Sequence, residues 1–175
     1  VQSIILLATI YGKTEIGLST SSLILTIIVI QLVGILGAYM FSRLAKRIGN
    51  LTALKITIFI WTAASLSAYY LDKDDPNVQL KFYVISGFIG LVLGAIQTLS
   101  RSTYSKLLPE NTLDPTTYFS FFDVTEKIAI VWGTFIFGLA IAITDSMRLS
   151  ILLLCLFFVI SFIILSMMKK TKYVK

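Results

Sequence analysis

The sequence contains no histidine, and its 175 residues include a single cysteine, Cys155. Histidine is the commonest general base and the commonest metal ligand in proteins, so its absence argues against a catalytic or metal centre. One cysteine forms no internal disulfide bond, and the apolar run around it, ILLLCLFFVI, predicts that it packs as a small hydrophobic residue. We therefore predict no enzyme activity, no cofactor and no metal ion.

Charge is also scarce: charged residues make up 14% of the chain, against about 25% in a typical globular protein. The mean hydropathy is +0.89, and residues 16–42 form twenty-seven positions without a charge. As a helix this run is roughly 40 Å long, more than the ~30 Å hydrocarbon core of a bilayer. The sequence therefore predicts an integral membrane protein with the lipid bilayer as a partner.

Six hydrophobic segments are separated by short polar links, and each segment predicts a helix because lipid offers no hydrogen bonds to the backbone. They cover residues 1–11, 18–41, 51–71, 82–100, 118–143 and 150–168. The first segment is too short to span a bilayer. We expect it to be a truncated helix and the chain to be a fragment, with residues 1–175 forming one six-helix bundle.

Basic residues separate by side if these segments alternate in direction. One side holds eleven of them: Arg43, Lys46, Arg47, Lys55, Arg101, Lys106, Lys127, Lys169, Lys170, Lys172 and Lys175. The other side holds four: Lys13, Lys73, Lys81 and Arg148. The positive-inside rule places the first group and the C-terminus in the cytoplasm. This topology accounts for the net charge of +6, so we predict no nucleic-acid partner.

The link after the second segment, SRLAKRIGN, resembles the signature loop of the major facilitator superfamily, approximately Gly-x-Leu-Ala-Asp-Arg-x-Gly-Arg. The loop residues of interest are Arg43, Lys46, Arg47 and Gly49. In that superfamily the acidic residue holds a cytoplasmic gate, and Lys46 stands in its place here. The alternative interpretation is an ordinary basic turn that obeys the positive-inside rule.

Three later stretches resemble one branch of this superfamily, the autophagy-linked vacuolar amino-acid effluxers of fungi and their bacterial relatives. They read GAIQTLSRSTYSKLLPE, TYFSFFDVTEKIAIVWGTFIFGL and SMRLSILLLCLFFVISFIIL. The resemblance implies an all-α fold in which this chain is the C-terminal half, helices seven to twelve, with a missing N-terminal half as its partner. It also implies a location in a bacterial inner membrane, or in the vacuolar membrane of a fungus.

We therefore expect a secondary active transporter of small solutes, with amino acids as one substrate class, that works by alternating access. The alternative is a six-helix membrane scaffold or channel-like subunit that transports nothing. A channel is expected to have a filter loop that re-enters the membrane. The longest link, residues 101–117, is too charged and polar for such a loop.

Polar side chains at membrane depth are costly and therefore predict function. Gln2, Gln31 and Gln97 are the candidates for the substrate pathway, with an interhelical hydrogen bond as the alternative for Gln31. We expect Gln2 and Gln97 to face one another.

The densest charged group is Asp123, Glu126 and Lys127, at one face of the fifth segment. Their spacing allows Asp123 to pair with Lys127, and Glu126 is then left for Arg101 or for proton coupling. We assign all four residues to gating or proton coupling, with an interfacial salt-bridge network as the alternative.

Overall fold

The computed structural model describes residues 2–108, 114–144 and 146–167; within them, nothing is described of the side chains at positions 2–4, 6, 7 and 154. The described residues form six α-helices: α1 (Gln2–Thr14), α2 (Thr20–Ile48), α3 (Asn50–Tyr69), α4 (Val78–Leu107), α5 (Pro115–Thr144) and α6 (Met147–Met167). The predicted all-α, six-helix fold is confirmed. Five of these helices, α2 to α6, are long and apolar enough to cross a membrane.

Helices α2 and α4 are longer than their hydrophobic segments. α2 continues through the signature-like loop to Ile48, and α3 starts at Asn50, so the predicted link contracts to Gly49. The prediction ended each helix where hydrophobicity ends. Lysine and arginine are good helix formers, however, and cations are stabilised near a helix C-terminus. The helix therefore extends beyond the apolar layer.

Gly49 makes the corner between α2 and α3. Its backbone has φ +87° and ψ 150°, a conformation that side-chain-bearing residues rarely adopt. Its N–H donates to the carbonyl of Ala45 at 2.9 Å, and its carbonyl accepts from the N–H of Ala53 at 3.1 Å. One residue thus ends the first helix and begins the second.

Helices α2 and α4 pack backbone to backbone through Gly34, Gly37, Gly90 and Gly94. A Cβ atom added at Gly90 would lie 2.5 Å from the carbonyl oxygen of Ile30 on α2. Added at Gly34, it would lie 3.3 Å from the carbonyl oxygen of Gly90. Small residues permit such close approach, which favours association of helices in a membrane through van der Waals contact.

Helix α3 packs on α4 and α6, and its centre is the fully buried Trp61. The Trp61 ring stacks on Phe158 of α6 with centroids 5.3 Å apart, and it shares a core cluster with Ile30 and Val92. By contrast, α2, α5 and α6 expose many large apolar side chains, as expected for surfaces that face lipid or further protein.

Contacts between helix ends establish the alternating direction of the helices. At one end, Arg101 late in α4 pairs with Asp123 early in α5, and Asn50 at the start of α3 contacts Ser102. We call this the basic end. At the opposite end, Arg148 at the start of α6 lies 3.7 Å from Glu15 after α1 and 4.0 Å from Asp72 after α3.

The close α2–α4 contact generates a prediction. Gly94→Ala places a methyl group against the backbone carbonyl of Gly34. Because a backbone atom cannot rotate away as a side chain can, the two helices must separate. We expect the free energy of unfolding to fall by about 1–3 kcal/mol. After mild heating in detergent, little of the variant protein should remain monodisperse. Gly133→Ala is the control, since nothing lies within 4 Å of a Cβ there. Equal thermal stability of the two variants would contradict the packing described.

Candidate functional site

A cleft of about 750 Å³ opens between α4 and α5 near the basic end. Its lining includes five residues that the sequence had marked as candidates: Gln97, Arg101, Asp123, Glu126 and Lys127. Hydroxyl groups and small or apolar side chains complete the wall: Ile96, Thr98, Ser100, Phe122, Thr125, Ala129 and Ile130. The cleft therefore presents cations, carboxylates and an amide together in an apolar bundle.

Arg101 is the centre of the charged group. Its Nη2 lies 2.6 Å from Oδ1 of Asp123 and 3.8 Å from Oε2 of Glu126. The Asp123 contact is a charge-assisted hydrogen bond, whereas the Glu126 distance is too long for one. One guanidinium thus bridges α4 to two carboxylates on α5.

The predicted pairing of Asp123 with Lys127 is wrong. Asp123 instead bonds Arg101 on the neighbouring helix, even though Asp123 and Lys127 have the spacing for a pair within α5. A guanidinium presents several donors in a fixed plane and binds carboxylates more strongly than an ammonium group does. The expected Glu126–Arg101 proximity is present.

Aromatic residues of α5 divide into two sets. Phe119 and Phe122 pack on Tyr104 of α4, with ring centroids 5.8 and 4.9 Å away, and the Tyr104 hydroxyl donates to the carbonyl of Tyr118 at 3.0 Å. Phe121 faces outward and is 69% exposed. Sequence reasoning missed Tyr104, which has no charge or motif to distinguish it.

The remaining candidates lie elsewhere. Gln31 is exposed on α2 and does not line the cleft. The side chain of Gln2 lies outside the described residues, so its expected approach to Gln97 does too. Arg43, Lys46 and Arg47 are exposed at the basic end of α2.

A polar contact that sequence reasoning missed joins α3 to α4. Asn50 is 3% exposed, and its Nδ2 donates to Oγ of Ser102 at 2.9 Å, while Nζ of Lys106 donates to its Oδ1 at 3.2 Å. Asn50 therefore holds the α2–α3 corner against α4. Its partner Ser102 directly follows Arg101 in the sequence. Its position directly after the corner glycine was the available signal.

Asp114 fixes the start of α5, which carries the two cleft carboxylates. Its Oδ1 accepts from the backbone N–H of Thr117 at 3.2 Å, and its Oδ2 accepts from the Thr117 hydroxyl. This is the hydrogen-bond pattern of a helix N-cap. These hydrogen bonds hold the pKa of Asp114 below its usual range, the hydroxyl contributing most.

The membrane-crossing helices define an integral membrane protein, and the family that the sequence matches is of the transporter type. The chain belongs to the family described as vacuole effluxer Atg22 like, which its residues 1–174 match.

The individual relatives are consistent with this family. An uncharacterized MFS-type transporter, YxiO of Bacillus subtilis, is 28% identical over 166 residues, which are 95% of this chain and 37% of the relative. Autophagy-related protein 22 of Vanderwaltozyma polyspora is 32% identical over 153 residues, 84% of this chain and 29% of the relative. The chain thus spans about a third of the length of these relatives. No solved structure matches it.

The Asp114 cap predicts a pH response at the start of α5. Because the folded-state pKa is lowered, the stabilisation is present above the unfolded pKa of about 4 and is lost as the pH falls through the folded value. We expect faster amide hydrogen exchange over residues 116–120 in acid, relative to Asp114→Asn at the same pH. That variant keeps an oxygen acceptor and does not titrate. Identical acid sensitivity in both proteins would assign the effect to another group.

Proposed function

We propose that this chain is the C-terminal half, helices seven to twelve, of a twelve-helix secondary transporter that moves amino acids by alternating access. The observation that carries the proposal is the charged cleft between α4 and α5. Carriers place substrate and coupling-ion sites in cavities within the helical bundle, at the interface between repeats. The charged cleft of this chain supplies one wall of such a site, and the other half of the protein supplies the facing wall.

The composition of the cleft favours a zwitterionic substrate. Arg101 and Lys127 offer positive charge to a substrate carboxylate, while Asp123 and Glu126 offer negative charge to an α-ammonium group. Gln97 adds an amide that both donates and accepts. A substrate carboxylate that competes for Arg101 weakens its contacts with α5, so binding is linked to the spacing of the two helices.

We assign proton coupling to Glu126 and helix bridging to Asp123. Glu126 is the more weakly held carboxylate, 3.8 Å from Arg101 against 2.6 Å for Asp123, and its side chain is 31% exposed. A carboxylate with a long ion-pair contact loses less when it takes up a proton than one in a direct hydrogen bond. Glu126 is therefore the group that exchanges protons as the cleft opens.

The orientation and direction of transport are part of the proposal. The excess of basic residues at the basic end, including Arg43, Lys46 and Arg47, supports a cytoplasmic position for that end. The family description, vacuole effluxer Atg22 like, supports efflux as the direction. We place the protein in a bacterial inner membrane, or in the vacuolar membrane if the source is fungal.

The full-length protein in proteoliposomes tests the coupling role. We expect Glu126→Gln to abolish the dependence of amino-acid transport on a proton gradient, because an amide cannot bind and release the coupled proton. Glu15→Gln is the matched control: Glu15 is 30% exposed and lies 3.7 Å from Arg148 at the opposite end of the bundle. We expect the control to keep its gradient dependence.

Two results would overturn this proposal. Unchanged gradient dependence in Glu126→Gln would remove the coupling role. Absence of amino-acid transport by the wild-type protein, with or without a gradient, would remove the substrate class. The gene upstream of Val1 tests the half-transporter assignment, since six further spans are expected there.

A further inference from the structure

Four cations lie in a region of the chain that has no carboxylate of its own. Residues 16–71 contain Arg43, Lys46, Arg47 and Lys55 and no aspartate or glutamate. In the described part of the basic end, the acidic residues have other partners: Asp123 and Glu126 face Arg101, and Asp114 bonds Thr117. The positive charge of α2 is therefore not neutralised within the described bundle.

Three of these cations, Arg43, Lys46 and Arg47, continue an exposed apolar stripe of α2. Leu32, Ile35 and Tyr39 are 60%, 69% and 56% exposed, and the exposed Arg43 and Arg47 follow at helical spacing. From Leu32 to Tyr39 the helix rises roughly 10 Å, so the stripe is apolar over part of a leaflet and then becomes cationic. We call Leu32, Ile35, Tyr39, Arg43, Lys46 and Arg47 together the α2 stripe.

A cation–π contact joins the apolar part of the α2 stripe to its cationic part. The guanidinium carbon of Arg43 lies 4.5 Å from the centroid of the Tyr39 ring. Tyrosine is enriched where lipid meets water, so this pair places the change from apolar to cationic surface at headgroup depth.

We propose that the α2 stripe binds an anionic phospholipid, with its phosphate at Arg43, Lys46 and Arg47 and its acyl chains along Leu32, Ile35 and Tyr39. The two parts of such a lipid match the two parts of the stripe: its negative headgroup faces the cations, and its acyl chains face the apolar residues. Cations next to a membrane span attract anionic headgroups through their charge, and the neighbouring apolar surface adds contact with the chains. A soluble anion would contact only the cationic residues of the stripe, Arg43, Lys46 and Arg47.

The test uses the full-length protein in vesicles of phosphatidylcholine containing about a third phosphatidylglycerol. Native mass spectrometry then counts the lipids that remain bound. We expect wild-type protein to retain phosphatidylglycerol over phosphatidylcholine. We expect Lys46→Gln with Arg47→Gln to weaken that binding roughly 10- to 30-fold, from the attraction of about two charges. The matched control, Lys13→Gln with Lys73→Gln, removes two exposed cations at the opposite end and leaves retention unchanged.

A second measurement needs no variant. A photoreactive phosphatidylglycerol analogue labels residues 32–47 of the wild-type protein if the stripe holds the lipid. Equal retention of the two lipids, or labelling confined to other helices, would overturn the proposal. Crosslinking of residues 32–47 to another part of the protein or to a second copy would assign the stripe to a protein contact and overturn it as well.

Discussion

The contact between the backbones of α2 and α4 is the constraint on which the rest of the bundle depends. Gly90 and Gly94 of α4 meet Ile30 and Gly34 of α2 at distances that leave no room for a Cβ atom. In a membrane, helices gain no hydrophobic energy from leaving lipid, so close van der Waals packing is what holds them together. This contact sets one face of α4 against α2, and Trp61 and its neighbours set α3 beside it.

The position of the cleft follows from this arrangement. Because α2 and α3 cover the other faces of α4, the face that carries Gln97 and Arg101 is left for α5. Near the basic end, α5 meets α4 through an arginine with two carboxylates and through aromatic rings around Tyr104. Half-exposed ion pairs of this kind contribute little stability, since solvent screens them and offers alternative partners. A bundle joined tightly on one face and loosely on the other can change its spacing at the loose face, which is the kind of motion that the proposed alternating access needs.

The same end of the molecule has two kinds of charged surface. Around Arg101 the cations are matched by Asp123 and Glu126, so the cleft suits a ligand with both charges. On α2, Arg43, Lys46 and Arg47 have no carboxylate beside them in the sequence, so that surface suits an anion from outside the chain. The difference depends on sequence position: the acidic residues of this end lie in and before α5, and none lies in α2 or α3.

The sequence by itself determined that the chain belongs in a membrane, that it has six helical segments, and that Asp123, Glu126 and Lys127 share one charged helix face. These properties follow from hydrophobic length and local spacing, which are visible along the chain. It did not determine where helices end, because α2 and α4 continue through basic residues that retain helical propensity. Only the tertiary structure decided that Asp123 pairs with Arg101 and not with Lys127, that Asn50 joins α3 to α4, and that Gln31 lies away from the cleft. Each of these outcomes depends on the relative position of two helices, and that position is set by packing between residues far apart in sequence.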